Sequence, residues 1–301
     1  MTKSIEFGRR STADHVLAGI DLTGKHILVT GCNSGLGLET MNAFAANGAS
    51  VIGLARTLEA AAPACAQASP NCIPLACDLA NFDSIAAAVD SLRRLSIPLD
   101  AVVANAAAVN LPSLRTRYGI EEQFLTNHLG HFMLVNGIAD QLRDGSARIV
   151  MVSDAANVSR TPGPGIMFDN LDGRQFYDPA TFYAQSKLAN ALYAKELSRR
   201  LAPRGIAANS ADPGAARTRI RKGFFTRLFA KSAAQGAATQ AYLAASPEVS
   251  GITGEYWTNC KIAHGNELLE DNALARRLWD VSQELLGRQR RIGGAALQQA
   301  A

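Results

Sequence analysis

Short apolar runs alternate with longer amphipathic stretches along most of this chain. Three stretches have apolar residues at helical spacing, Leu36 to Asn47, Phe82 to Leu95 and Ile120 to Leu142, and predict helices. Five runs are apolar on both sides and predict strands covered by helices on both faces: HILVT (26–30), SVIGLA (50–55), CIPLAC (72–77), DAVVAN (100–105) and ARIVMVS (147–153). This alternation predicts an α/β fold with a doubly wound parallel β-sheet flanked by helices.

The same alternation continues to about residue 286 without a linker. Asp178 and Pro179 suit the first turn of a helix from about Ala180 to Leu201. After it we expect strands at 205–211 and 254–260, and helices at 233–245 and 270–286. The prediction is therefore one domain over 21–287, preceded by a polar N-terminal arm (1–20) and followed by a flexible C-terminal tail (288–301) without periodicity.

Composition narrows the class of protein. The net charge is only +4, from 30 Lys and Arg against 26 Asp and Glu, which argues against nucleic acid as the main partner. Five cysteines without a CxxC pair indicate neither a disulfide framework nor a zinc site. The N-terminus lacks the apolar core of a signal peptide, and no stretch of about 18 apolar residues is present. We expect a cytoplasmic protein with no transmembrane segment.

A glycine-rich turn follows the first predicted strand and leads directly into the first predicted helix. Glycines at such a turn let backbone N–H groups approach a pyrophosphate, and the positive end of the helix then faces the phosphates. This placement predicts a dinucleotide-binding Rossmann fold, with the cofactor held by Gly31, Asn33, Ser34, Gly35, Leu36 and Gly37.

The end of the second strand bears on the choice of dinucleotide. NAD-binding proteins place a carboxylate there for the adenosine ribose, whereas this chain has Arg56. A guanidinium can pair with a 2′-phosphate, so NADP(H) is favoured over NAD(H). Asp78 and Leu79, which follow the third strand, are expected at the adenine edge.

A tyrosine and a lysine four residues apart are candidates for proton transfer. On the helix from Ala180, Tyr183 and Lys187 share one face. A free phenol has a pKa near 10, and a nearby cation would lower it toward neutrality. Ser153 ends the fifth strand, where open α/β sheets bind ligands, and its hydroxyl could hold a substrate oxygen.

These motifs together resemble the short-chain dehydrogenase/reductase family, classical type, over about residues 20–286. TGCNSGLG resembles its TGxxxGxG turn, and Tyr183 and Lys187 match its YxxxK motif. The resemblance implies that Asn127, Ser153, Tyr183 and Lys187 are catalytic, with Asn127 supporting a water-mediated proton relay to the lysine. It also implies cofactor contacts from two further segments, which are Asn105, Ala106 and Ala107, and Pro213, Gly214 and Thr218.

Within the family, the chain is similar to the branch of retinol dehydrogenases, WW-domain oxidoreductases and chloroplast translocon-associated reductases. The carrying phrases include FDNLDG and YAQSKLANALYAKELSRRL. That branch commonly prefers NADP(H), with an Arg where Arg56 stands. Two departures are Ala107, where the family has Gly, and Asp212, where branch members often have His. Both argue against importing a substrate from the branch.

The substrate wall is expected from three segments: the loop after the fifth strand (Asp154 to Arg160, with Ser153 and Ala155), the Pro/Gly-rich stretch Thr161 to Phe182, and the segment 215–231. That segment mixes cations with aromatics, including Phe224 and Phe225, and favours a lid over a hydrophobic small-molecule substrate. A packed helix or a membrane-surface contact would also explain it. His128 and His131 lack a third ligand nearby, so we expect helix packing and no metal site.

The sequence thus predicts an NADP(H)-dependent oxidoreductase that interconverts an alcohol and a ketone or aldehyde, with Tyr183 as general acid/base. Two alternatives stay open: an NADPH-dependent C=C reductase and a non-catalytic NADP(H)-binding scaffold. The helices at about 120–142 and 180–201 would suit the four-helix interface of family homodimers and homotetramers. Some members of the branch are monomers, so the resemblance fits each of these states.

Overall fold

A computed structural model describes residues 6–154, 160–163, 165–214, 231–264 and 267–299, with side chains up to 288. The central sheet has eight strands in the order β10-β9-β8-β7-β4-β1-β2-β3. Their bounds are β1 His26–Thr30, β2 Ser50–Ala55, β3 Ile73–Ala76, β4 Ala101–Ala104, β7 Arg148–Val152, β8 Ala207–Asp212, β9 Tyr256–Thr258 and β10 Lys261–Ile262. Two short strands, β5 Thr116–Arg117 and β6 Ile120–Glu121, form a separate hairpin.

Every pair of neighbouring strands in the large sheet is parallel except β9 and β10. The chain runs from β1 outward to β2 and β3 and then returns to β4 on the other side of β1. The carboxyl ends of β1 and β4 therefore border the crevice where sheets of this kind bind ligands. The predicted doubly wound parallel sheet is confirmed.

Helices cover both faces of this sheet. Their bounds are α1 Ala13–Leu17, α2 Gly35–Ala46, α3 Leu58–Ala68, α4 Phe82–Leu95, α5 Glu122–Phe124, α6 Gly130–Gly137, α7 Pro179–Leu201, α8 Ala233–Ala245 and α9 Asn272–Gln299. One apolar core contains residues of α4, α6, α7 and α9, and the other contains residues of α1, α2, α3 and α8. The continuous apolar runs of the strands follow from burial between these two layers.

Two helices were not predicted. Helix α3 is alanine-rich, with Pro63 inside it, so its buried residues Ala61, Ala64 and Cys65 give little contrast between faces. Helix α1 lies within the segment expected to be a polar arm, and it buries Val16 and Leu17 against helix α8. A single turn of helix is too short for its apolar spacing to stand out in the sequence.

Two predicted helices have different bounds in the structure. The stretch from Ile120 to Leu142 starts as strand β6, and its long helical part runs from Glu122 to Gly137, before a short 3-10 turn at Ala139–Gln141. Within it, Leu125–Leu129 forms a π-helical turn between α5 and α6. The C-terminal helix α9 continues to Gln299, beyond the expected end near residue 286, although the sequence predicted a tail without structure from 288.

Other sequence-based expectations can be compared directly with the coordinates. All five cysteines lie in the described part of the chain, and none forms a disulfide. No helix among the described residues has the length and apolar character needed to cross a membrane. Within the described ranges, no group of three or more His, Cys, Asp or Glu side chains is arranged to hold a metal ion.

Candidate active site

A cavity of about 950 Å³ opens along the carboxyl ends of β1, β2, β4 and β7. Most of the described residues that the sequence predicted for the cofactor and the chemistry line it. They are Gly31, Asn33, Ser34, Gly35, Leu36, Arg56, Asp78, Leu79, Asn105, Ala106, Ala107, Ser153, Asp154, Tyr183, Lys187, Pro213 and Gly214. The structure therefore brings together segments that lie far apart in the sequence, from Gly31 to Gly214.

The glycine-rich turn forms one end of this cavity. Gly31 and Gly35 have positive φ values of 71° and 57°, which side chains disfavour. A Cβ on Gly37 would lie 2.2 Å from the Gly31 carbonyl oxygen, so only glycine lets α2 pack this closely on the turn. The first turn of α2 contains no acidic residue, and its positive end suits an anion.

A threonine hydroxyl joins this turn to the neighbouring strand. The backbone N–H groups of Asn105 and Ala106 both donate to Thr30 Oγ1 at 2.9 Å. The Asn105 side chain also donates to the Thr30 carbonyl at 2.9 Å. These bonds fix the loop after β4 against the glycine-rich turn, so the floor of the cavity is held in place by the protein's own hydrogen bonds.

Charged side chains gather at the end of β2 and β3. Arg56 is exposed and borders the cavity directly after β2. Asp78 forms a salt bridge with Arg117 across 3.7 Å. Arg117 lies on the β5–β6 hairpin, which the sequence did not predict, and Arg160 also lines the cavity. No motif pointed to Arg117, because its segment has no recognisable pattern, whereas Arg160 ends the loop that the sequence predicted for the substrate wall.

Tyr183 and Lys187 lie on consecutive turns of α7 at the other end of the cavity. Tyr183 is 8% exposed and Lys187 is 2% exposed. Lys187 Nζ lies 5.7 Å from the centroid of the Tyr183 ring and donates to the Val152 carbonyl at 3.0 Å. The Ser153 hydroxyl donates to the Lys187 carbonyl at 2.8 Å, which joins the end of β7 to α7.

Burial determines the protonation of Lys187. Removal from water lowers the pKa of its amine from 10.5 to about 8, and the Asp154 carboxylate opposes that shift. An ammonium buried beside a phenol favours the phenolate, because it offsets the negative charge. The structure therefore places a buried amine beside the Tyr183 phenol at the wall of the cavity.

Asn127 is buried in the π-helical turn behind the cavity. Its side-chain oxygen accepts from the Ala108 N–H at 2.7 Å, and its amide donates to the Ala108 carbonyl and to Ser186 Oγ, both at 2.9 Å. The side chain thus joins α7 to the loop after β4. The backbone carbonyl oxygen of Asn127 accepts a hydrogen bond from the His131 ring at 2.8 Å.

A second group of buried polar residues lies at the end of β8 and β9. Asp212, which departs from the branch pattern, accepts from the Gly214 N–H at 2.7 Å. Burial raises the pKa of the Asp212 carboxyl, and the nearby Asp154 raises it further, while Lys231 lowers it. Burial also raises the pKa of Tyr256 well above its ordinary value, whereas the neighbouring Ser153 hydroxyl lowers it. The sequence did not single out Tyr256.

Several predicted site residues lie outside the described residues. They are Ala155, Thr218, Phe224 and Phe225, together with most of the expected lid at 215–231. Thr30 and His131 are residues of the site that sequence reasoning missed. Thr30 opens the glycine-rich motif and His131 lies four residues after Asn127, so each had a positional signal.

A family model described as short chain dehydrogenase matches residues 25–167. The human WW domain-containing oxidoreductase is 35% identical over 94% of this chain and 72% of its own length. Short-chain dehydrogenase TIC 32 B, chloroplastic, from Brassica napus is 35% identical over 93% of this chain and 94% of its own. Human retinol dehydrogenase 14 is 35% identical over 88% and 87%.

Solved structures give the same result for the fold. A crystal structure of an uncharacterized protein from Mycobacterium Paratuberculosis has a TM-score of 0.76 and 29% identity, over 91% of this chain and 96% of that one. A short chain dehydrogenase from Burkholderia cenocepacia J2315, in complex with NADP, has a TM-score of 0.64 and 26% identity, over 79% and 96%.

Proposed function

The chain belongs to the short-chain dehydrogenase/reductase family of oxidoreductases, and from that premise we propose that it interconverts an alcohol and a ketone or aldehyde with NADP(H). Asn127, Ser153, Tyr183 and Lys187 are the proposed catalytic residues. The observation that carries the proposal is that Ser153, Tyr183 and Lys187 line the same cavity as the glycine-rich turn. A cofactor held at the glycine-rich turn and a substrate oxygen at Ser153 and Tyr183 would therefore lie in one cavity.

The residues present fit a dinucleotide. The close packing at Gly37 leaves the turn without side chains, and the N-terminus of α2 can face a pyrophosphate. NADP(H), when bound, supplies or accepts the hydride. NADP(H) is proposed over NAD(H) because Arg56 borders the cavity where a carboxylate would repel a 2′-phosphate. The NADP-bound Burkholderia cenocepacia relative supports the same choice.

The protein's own side chains bind the substrate oxygen and transfer the proton. Ser153 holds the substrate oxygen, Tyr183 gives or takes the proton at that oxygen, and Lys187 keeps the phenol acidic enough to do so. Asn127 orders the loop after β4 and the helix that carries Tyr183. The proposed substrate is a hydrophobic small molecule, with the segment 215–231 as its cover.

We also propose a cytoplasmic monomer. Every residue from 182 to 194 in helix α7 is buried within the single chain, so its middle has no face left for a partner. Helix α9 packs on it, and His128 of the π turn is hydrogen-bonded to Ser282 at 2.8 Å. Sedimentation should give the mass of one chain, and a stable dimer would contradict the proposal. Cell fractionation tests the location.

The test of the function is a panel of hydrophobic ketones and aldehydes assayed with NADPH and with NADH. We expect NADPH oxidation with some members of the panel. Tyr183→Phe should lower kcat by about 10²- to 10⁴-fold and leave NADPH affinity unchanged. The matched control is Tyr242→Phe, which removes a hydroxyl that donates to Glu248 far from the cavity and should keep full activity. Undiminished turnover in Tyr183→Phe would contradict the proposal.

A further inference from the structure

His131 of helix α6 is fully buried between the two ends of the active site. One ring nitrogen, Nε2, lies 2.8 Å from Thr30 Oγ1, the hydroxyl that holds the loop after β4. The other, Nδ1, lies 2.8 Å from the carbonyl oxygen of Asn127. A single imidazole therefore contacts both the strand that leads into the glycine-rich turn and the π turn behind Lys187.

The hydrogen bonds around Thr30 fix the direction of each contact. A hydroxyl has one proton to donate and two positions to accept. The N–H groups of Asn105 and Ala106 both donate to Thr30 Oγ1, so its proton is left for His131 Nε2. The proton of the ring must then be on Nδ1, where it is donated to the Asn127 carbonyl, which can only accept. The partners of the two ring nitrogens therefore independently indicate the same tautomer, with the proton on Nδ1.

The surroundings keep this ring neutral. Burial lowers the pKa of His131 from 6.5 to about 4, and the charge of Lys187 adds to the shift. At neutral pH the ring therefore acts as an acceptor toward Thr30 and as a donor toward Asn127 at the same time. A protonated ring would lose the acceptor and break the bond from Thr30.

We propose that His131 is a positioning residue that couples cofactor binding to proton transfer, and this inference rests on the function proposed above. Through Nε2 it orients the Thr30 hydroxyl, and with it the loop of Asn105 and Ala106 that lines the cavity. Through Nδ1 it holds the Asn127 carbonyl, whose helix is hydrogen-bonded to α7 next to Tyr183 and Lys187. Neither contact requires His131 to touch the cofactor or the substrate.

Two substitutions separate these contacts. The side-chain amide of Asn overlaps the Nδ1 position of His, and that of Gln overlaps the Nε2 position. His131→Gln keeps an acceptor for Thr30 and loses the donor to Asn127. We expect kcat at saturating NADPH to fall about tenfold, the size of one buried hydrogen bond, and the dissociation constant of NADPH to stay within about twofold.

His131→Asn keeps the donor to Asn127 and loses the acceptor for Thr30. We expect the opposite split: NADPH binding weakened about tenfold, with kcat at saturating NADPH within about threefold of the unaltered protein. The pH profile of kcat should change more in His131→Gln than in His131→Asn, since only the former loses the bond to the Asn127 carbonyl behind α7.

His128→Gln is the matched control. His128 lies on the same helical stretch, is equally buried, and contacts Ser282 through Nε2 at 2.8 Å, away from the cavity. It should leave kcat and NADPH affinity unchanged. The inference is overturned if His131→Asn and His131→Gln lose both parameters in parallel, or if neither changes. NADPH affinity is measured without turnover. If the proposed reaction is not observed, the NADPH affinity of His131→Asn therefore still tests this inference.

Discussion

The two ends of the cavity are built by different means. At the cofactor end, the glycine-rich turn from Thr30 to Leu36 lines the cavity with backbone and small residues, beside the loop of Asn105 and the charged residues Arg56 and Asp78. At the catalytic end, Ser153 comes from the end of β7 and Tyr183 and Lys187 from helix α7, and all three are almost completely buried. The cofactor end depends on close backbone packing at the glycine-rich turn, whereas the catalytic end depends on the buried charge of Lys187.

This difference determines how each end should fail. A side chain added at the cofactor end obstructs space and should abolish binding, because the backbone there cannot move without losing its hydrogen bonds. A change at the catalytic end alters charge or proton affinity, and its effect should depend on pH. The predictions below use this contrast.

The largest expected effect is at Gly37. In Gly37→Ala the added Cβ would lie 2.2 Å from the Gly31 carbonyl oxygen, so the turn must open. We expect NADPH affinity to fall at least about 100-fold, measured by calorimetric titration, with far-UV circular dichroism to check the fold. Gly8→Ala is the control, because a Cβ there meets nothing within 4 Å. Unchanged binding by Gly37→Ala would remove the turn from the cofactor site.

The next effect concerns cofactor choice. Arg56→Glu places a carboxylate where the 2′-phosphate is expected, and it should reverse the preference for NADPH over NADH by about 10- to 100-fold in kcat/KM. Arg94→Glu makes the same change of charge on the exposed face of α4 and should leave the preference alone. An unaltered NADPH preference in Arg56→Glu would show that another group selects the cofactor.

A smaller effect is expected in the pH profile of the catalytic end. The folded pKa of Lys187 is about 8, so its positive charge is present below that pH and is lost above it. The kcat/KM for carbonyl reduction should therefore decline as pH rises through about 8. Asp154→Asn removes the carboxylate that raises this pKa, so the decline should begin at lower pH. A decline at higher pH in that variant would contradict the assignment.

The smallest effect is on stability in acid. Burial lowers the pKa of His128 to about 3 in the folded protein, below the value near 6.5 of an unfolded chain. Between these values the unfolded state binds a proton that the folded state does not. Stability should therefore fall as pH drops below about 6.5, by up to about 1.4 kcal/mol per pH unit for this group. His128→Gln should lose less stability in urea unfolding between pH 7 and pH 5.

If the urea midpoint of the unaltered protein and that of His128→Gln changed equally with pH, this account would be contradicted. Such a result would mean that the ring is already protonated in the folded state, or that it is exposed to water.

Sequence patterns predicted the two ends to different depths. The glycine-rich turn is local, so its residues, spacing and place between a strand and a helix were all visible in the sequence. Tyr183 and Lys187 were found as one motif and Ser153 as a separate one, and the fold was needed to place them in one cavity. Thr30 and His131 lie close to predicted motifs but were missed, because the hydrogen bond between them joins residues 101 positions apart.

The predicted boundaries of helices and strands are also accurate only where the sequence pattern is local. Helix α4 was predicted to the residue, because its apolar face contrasts with a charged one. Strand β6 and the π turn were taken for one helix, because the apolar spacing from Ile120 onward does not reveal where pairing with β5 replaces helical bonding. Tertiary contacts decide such places, and the sequence alone carries no sign of them.

The central claim is that hydride and proton are delivered to one carbonyl group in this cavity. The most direct measurement uses NADPH deuterated at C4 of the nicotinamide, with product analysis by mass spectrometry and NMR. The account predicts deuterium on the carbon that bears the new hydroxyl. Tyr183→Phe should bind NADPH and form about 10²- to 10⁴-fold less of this labelled product in the same time. Deuterium on a carbon without oxygen, or equal label transfer by Tyr183→Phe, would contradict it.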